Sequence, residues 1–119
     1  MEINIFIFIL LIHFLGDFVL QTHEQAKEKH KSPEMLTYHV LTYSFIWLIA
    51  MYVWTDNIWY SVYFTCITFV THWIIDLFSS NIGKPFWRDK DYHNGFVVVG
   101  ADQVLNYLQL IFTYKLLFL

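Results

Sequence analysis

What this sequence lacks most is charge. Asp, Glu, Lys and Arg make up 14% of its 119 residues, against about 25% in an ordinary soluble domain. Hydrophobic residues reach 57% and aromatic residues 21%, and the mean hydropathy is +0.45. A soluble chain of this size could not bury so much apolar surface. The soluble classes are therefore excluded and the membrane class is left. Cysteine is also nearly absent. Cys66 stands alone, so no intrachain disulfide forms and the redox compartment is unreadable. Lying within an apolar run, it reads as a small buried apolar residue. A net charge of −3 and a pI near 6.0 give no sign of a nucleic-acid partner. There is no low-complexity segment and no sign of a second domain.

Four apolar runs, about 3–20, 36–54, 58–78 and 96–118, are each near the length that crosses a bilayer. They predict an all-α polytopic membrane protein: one domain over 1–119, with four transmembrane helices built as two hairpins. The first run has Glu2 where a signal peptide carries basic residues, and no small-residue cleavage site follows. It reads as a retained helix, extended out of the bilayer by the polar, helix-friendly residues 21–31. Ser32-Pro33-Glu34 supplies an N-cap, a first-turn proline and a first-turn carboxylate. It predicts a second helix over 33–54. Thr55-Asp56-Asn57 is a very short polar turn, so a third helix over 58–79 returns antiparallel. Gly83 reads as its C-cap and Pro85 as its stop. Residues 84–95 then form a charged, aromatic connector, in which 84–88 lies flat at the interface as a cover for the site. The fourth helix runs over 95–118.

Basic residues set the expected orientation. Lys27, Lys29 and Lys31 lie between the first two helices, and Lys84, Arg88 and Lys90 between the last two. Both connectors should face the cytoplasm. That predicts an inner-membrane protein with loops 21–35 and 79–95 cytoplasmic and both termini outside. Trp54, Trp59 and Tyr60 then form an aromatic belt at the outer interface. The basic clusters are mainly topology signals, with contact to anionic lipid as a secondary use.

Against this apolar background, two pairs stand out: His13–Asp17 and His72–Asp76. A spacing of four puts each pair on one helix face. Ionisable groups inside a span are costly and mark function or partnership. The repeat of the pair, with His39–Tyr43 resembling Gln103–Tyr107, suggests two parallel-topology halves. At 1.5 Å per residue the polar groups of all four helices fall roughly 5–12 Å below the cytoplasmic boundary. The outer halves hold almost only apolar and aromatic side chains. One shared site follows: His13, Asp17, His39, His72, Asp76 and Asp102, with Gln21, Gln103 and Asn106 around it.

Three uses of such a site are open. Paired ligands at i, i+4 aim at one ion, and imidazole with carboxylate suits zinc, manganese or iron. Facing helices of a bundle can hold two ions this way. In this reading His13, His39, His72 and Asp76 are ligands, and Asp17 or Asp102 is a ligand or the general base. Gln21, Gln103 and Asn106 orient water or substrate. Alternatively each histidine is bonded to its neighbouring aspartate as polar glue between helices. The third use is a proton or cation relay, disfavoured by the apolar outer half. Conduction or an interaction role would call for a homo-oligomer, because four spans are few for a transporter. His23, His30 and His93 read as solvated loop residues. Ser79, Ser80 and Cys66 lack a partner by spacing for nucleophilic catalysis.

His13-x-x-Gly16-Asp17-Phe18-x-x-Gln21, an early His39 in the next span, His72-x-x-x-Asp76, and Asp102-Gln103 opening the last helix together resemble a small bacterial and phage membrane-protein family, domain-of-unknown-function family 3307. The resemblance covers about residues 5–110 and implies a small polytopic membrane protein, with no particular activity. The family pattern carries a histidine four residues after the aspartate of the last motif. Here that position is Asn106, which removes a strong ligand and weakens any two-metal arrangement. More loosely, the layout is similar to a group of membrane proteins described as metal-dependent hydrolases. That likeness adds a little weight to metal-assisted hydrolysis of a lipid or headgroup substrate.

Overall fold

The computed structural model describes residues 2–22 and 31–118. The described residues form four α-helices: α1, Ile3–Phe14; α2, Pro33–Thr55; α3, Ile58–Arg88; and α4, Tyr92–Phe118. A π-helical segment, Leu15–Val19, continues α1. The protein is all-α, as its composition requires. α2, α3 and α4 are long and apolar enough to cross a bilayer, and α1 with its π segment forms a shorter apolar helix. The molecule is 47 Å long, more than the roughly 30 Å hydrocarbon core of a bilayer.

Local chemistry sets the boundaries. Ser32 Oγ accepts the Met35 N–H at 3.1 Å, and Pro33 opens α2. Asp56 closes α2 in the left-handed region (φ 54°), where its N–H meets the Tyr52 carbonyl at 2.8 Å. Asn57 Oδ1 then accepts the N–H groups of Trp59 and Tyr60 at 3.1 and 3.2 Å. The expected tight reversal is thus made by Asp56 and Asn57, each capping one helix.

Three expectations are corrected. α3 does not end near residue 79 but continues to Arg88. Gly83 has no positive φ and sits buried in the helix, with Pro85 inside it as well. The stop comes later, at Lys90, which adopts φ 59°. Its N–H reaches the Trp87 carbonyl at 3.3 Å, and the Asp91 N–H reaches the Phe86 carbonyl at 2.8 Å. This is a Schellman closure with lysine in the place glycine usually takes. The connector therefore shrinks to Asp89–Asp91, and 84–88 is the end of α3, not a separate flat segment. α4 begins at Tyr92, with the Asp91 carboxylate accepting from the N–H and Nδ2 of Asn94 at 3.3 and 2.7 Å. At the other end of the chain, helix does not run on past the π segment through Leu20–Thr22. The expected continuation over 23–30, with Lys27, Lys29, His23 and His30, lies outside the described residues.

The packing is apolar outside and mixed within. Ile3, Val53 and Leu116 are 72, 75 and 77% exposed, an arrangement suited to a hydrocarbon surrounding and costly in water. Ile5, Ile9, Trp47, Met51, Phe64 and Leu110 form a buried cluster toward the Asp56–Asn57 end. That half is not as apolar as expected. Ser44, Ser61, Thr68 and Thr113 are buried there, and Gln109 Nε2 joins Thr68 Oγ1 (3.1 Å) to Thr113 Oγ1 (2.9 Å) across the α3–α4 seam.

Candidate metal centre

The polar residues of all four helices meet at one place. Asp17 arrives on the π segment, where the Leu20 N–H bonds five residues back to the Leu15 carbonyl at 2.9 Å. Such widened turns recur at functional sites. His39 comes from the first half of α2; His72 and Asp76 are one turn apart on α3. All four are buried, and one ligand atom from each lies within 4.8 Å of the others.

Their atoms alternate in a ring. His39 Nε2 lies 2.9 Å from Asp17 Oδ1 and 3.4 Å from Asp76 Oδ2. His72 Nε2 lies 3.5 Å from the same Asp17 oxygen and 3.3 Å from the same Asp76 oxygen. Two nitrogens thus face two oxygens along edges of 2.9–3.5 Å. Ligands about 2.05 Å from a tetrahedral ion stand about 3.3 Å apart, a spacing that the four edges match, while the whole set is held within 4.8 Å. The donor set, two imidazoles and two carboxylates, is one that zinc, manganese or iron accepts. Among the described residues His72 Nε2 is buried with no hydrogen bond, facing only those two carboxylate oxygens, and a buried nitrogen left unsatisfied costs free energy. On chemistry and on spacing this cluster could hold a metal ion.

Neighbouring groups hold the ring in place. His72 Nδ1 is 3.0 Å from Asn106 Oδ1, and Asn106 Nδ2 donates to Asp102 Oδ1 at 2.8 Å. That second bond fixes which end of the amide faces the imidazole. Nδ1 therefore carries a proton, and in the neutral ring that a metal requires, Nε2 turns its lone pair to the cluster. Tyr43, fully buried, stacks on the other face of the ring with centroids 4.0 Å apart and planes 18° apart. His39 is less well held, because its Nδ1 has no hydrogen-bond partner among the described residues.

His13 is placed differently from its fellow histidines. Its Nε2 is 2.6 Å from Gln103 Oε1 and its Nδ1 2.7 Å from Tyr43 Oη. Gln103 Oε1 can only accept, so His13 is the Nε2–H tautomer and accepts from Tyr43. Both ring nitrogens are engaged, and Nε2 stays 3.7 Å from Asp17 Oδ2. Gln103 Nε2 goes on to donate to Asp17 Oδ2 and Asp102 Oδ1, each at 3.3 Å. The four-residue group contains Asp17, which the sequence reading gave as ligand or general base, and does not contain His13.

Asp102 stands beside the ring, not in it, accepting from Asn106, Gln103 and the Ser79 hydroxyl. Gln21 lies at the edge of an adjoining cavity of about 510 Å³. Asp17 and Asp76 form part of its floor, together with Ser79, Ser80 and Asp102. Two site residues were not singled out from sequence: Tyr43 and Ser79. Tyr43 follows His39 by four residues, the same spacing that marked the histidine–aspartate pairs. Ser79 has no such signal, since Asp102 reaches it from another helix.

The chain belongs to the family described as "Protein of unknown function (DUF3307)", whose sequence model matches residues 5–119. No curated protein and no solved structure matches the chain.

Proposed function

We infer that this is a small inner-membrane protein that binds a divalent transition metal within the bilayer and uses it to hydrolyse an ester of a lipid or its headgroup. The observation that carries the reading is the alternating ring of His39, Asp17, His72 and Asp76 with a cavity opening onto its two carboxylate residues. In this reading all four helices span, as two hairpins, with the cluster in the cytoplasmic leaflet and the basic connectors on the cytoplasmic side. Zinc, manganese or iron fits the donors. The ion would lower the pKa of a bound water toward ~7 and polarise the scissile group. The chain's own residues do the rest. Asn106 and Tyr43 hold His72 in the ligating orientation. Asp102, which lines the cavity beyond the four ligands, would take the proton that an attacking water loses as its oxygen adds to the ester centre. The ester bond to the leaving oxygen breaks, and that proton returns to the leaving oxygen as the alcohol forms.

Metal content of the protein purified without added metal tests this reading. About one equivalent of a transition metal, lost in Asp76→Asn and His72→Ala, together with lipid ester hydrolysis abolished by chelation, is expected. Less than about a tenth of an equivalent, unchanged in His72→Ala, overturns it. A second reading, a proton or cation relay in a homo-oligomer, draws on the partly buried Thr68–Gln109–Thr113 string. Liposome flux lost in Asp17→Asn with no metal bound would favour it.

A further inference from the structure

The cavity beside the ring has a chemistry of its own. Its floor carries the carboxylates of Asp17, Asp76 and Asp102. Its opposite rim carries Lys31 and Lys84, both exposed. The same two lysines also border a smaller neighbouring cavity of about 120 Å³, so they form the ridge between the two. The side wall is apolar: Phe18, Trp87, Val98 and Val99. Phe18 and Trp87 are 44 and 40% exposed, so this wall is continuous with the outer apolar surface of the bundle. Trp87 does not swing freely, since it packs against Phe96 (5.2 Å between centroids) and lies over Gly95. At about 510 Å³ the space suits a small organic ligand. An occupant must meet cations at one side, hydrocarbon along another, and a carboxylate-lined metal site at the bottom.

We propose that the cavity takes a lipid with a net anionic phosphate headgroup, its phosphate held between Lys84 and Lys31 above and the metal of the ring below, its acyl stem leaving along Phe18, Val98 and Val99. This rests on the metal reading for the lower half of the grip. The ion is needed there because three carboxylates would otherwise repel an anion. The rim lysines attract the phosphate at long range, as basic groups at a membrane surface do. A neutral or zwitterionic lipid would satisfy the apolar wall but leave the ion and the lysines poorly matched. Free phosphate would satisfy the charges but leave the wall bare. The occupant is therefore one that joins both parts, with phosphatidic acid as the simplest example.

Native mass spectrometry of the full chain, released from phosphatidylcholine nanodiscs doped with phosphatidic acid, reads the retained lipid directly. Phosphatidic acid is expected to be retained over phosphatidylcholine, more so with zinc present, and not displaced by inorganic phosphate. Lys84→Gln and Lys31→Gln should each lower its retention about fivefold, with Lys84→Arg restoring it. Both lysines are exposed, and thermal unfolding of each variant checks that the fold survives the change. Equal retention of the two lipids, no effect of either Lys→Gln variant, or displacement by inorganic phosphate overturns the proposal. If zinc binds and any of these is seen, the headgroup assignment falls while the metal site stands. If no metal binds, the metal reading falls and the grip proposed here falls with it, even where retention remains lysine-dependent.

Discussion

The ring of Tyr43 lies almost flat on the imidazole of His72, 4.0 Å between centroids, and its hydroxyl is bonded to His13 at 2.7 Å. One tyrosine therefore holds one histidine by its face and another by its Nδ1. The two functions separate by substitution. Tyr43→Phe keeps the stack and leaves His13 Nδ1 without its donor, a loss of about 1–3 kcal/mol in stability with metal affinity largely unchanged. Tyr43→Ala opens a cavity, costing about 3–5 kcal/mol, and frees the His72 ring, so metal affinity falls at least about tenfold. Metal titration and thermal unfolding in detergent read both effects. Equal losses of affinity in Phe and Ala would show that the stack is not what positions the imidazole.

Asn106 occupies the position at which a ligand would be sought from the family pattern. Its role here is to orient: it accepts from His72 Nδ1 at 3.0 Å and is itself pinned by Asp102 at 2.8 Å. Asn106→Leu should weaken metal binding about 10–100-fold yet leave full occupancy attainable at high metal concentration. Asp76→Asn, which removes a ligand, should lower the occupancy reached. Isothermal titration of the two variants side by side distinguishes orientation from ligation. An Asn106→Leu protein that binds as tightly as the parent would remove Asn106 from the site's working parts.

His13 and His72 look equivalent in sequence, each followed by aspartate at the fourth position, and only their surroundings separate them. Gln103 Oε1, reaching across from α4, uses one nitrogen of His13, and Tyr43 uses the other. His13→Asn should therefore retain the metal while lowering stability, whereas His39→Ala and His72→Ala should lose it. Acid should release the ion from the parent protein. Each imidazole must give up its proton to ligate, so occupancy is full at high pH and falls as pH is lowered, with up to two protons taken up by the two imidazoles per ion released. Metal retention after dialysis over a pH series measures this. Retention independent of pH, or lost in His13→Asn but kept in His72→Ala, would invert the assignment.

Much of this was legible in the chain, for identifiable reasons. Ser32-Pro33 and Asp56-Asn57 announce helix ends through side-chain chemistry that acts within four residues, so sequence alone suffices. The convergence of Asp17, His39, His72 and Asp76 follows from helix geometry plus the cost of burying charge in an apolar run. The failures are tertiary. Gly83 has the composition of a cap, but it lies beside Val98 of α4, a contact that exists only once α3 and α4 pack. Lys90, a poor left-handed residue by intrinsic preference, takes the closing turn instead. The division of labour between His13 and His72 depends on Gln103, ninety residues from His13 in the chain. Serine 79 acquires its carboxylate partner in the same way, from α4.

Two glycines near that closing turn give a last test, with opposite signs. A Cβ on Gly83 would stand 3.5 Å from Trp87 Nε1 and 3.6 Å from Val98 Cγ1, ordinary contact distances. Gly83 lies inside α3 with no positive φ. Gly83→Ala should therefore stabilise the protein by about 0.5–1 kcal/mol through helix propensity; a glycine serving as a left-handed cap would show the reverse. A Cβ on Gly95 would come within 2.9 Å of two Trp87 ring carbons. That ring is backed by Phe96 and Tyr92, so it cannot yield freely. Gly95→Ala should cost about 1–3 kcal/mol. Because Trp87 also walls the cavity next to the ring, the same substitution should reduce phosphatidic acid retention while leaving metal content at its parental level. Thermal unfolding of the pair in one detergent, with lipid retention and metal content measured on the same samples, gives all three readouts. A stabilised Gly95→Ala protein would mean that Trp87 is not held over Gly95, and the wall assigned to the lipid's acyl stem would go with it.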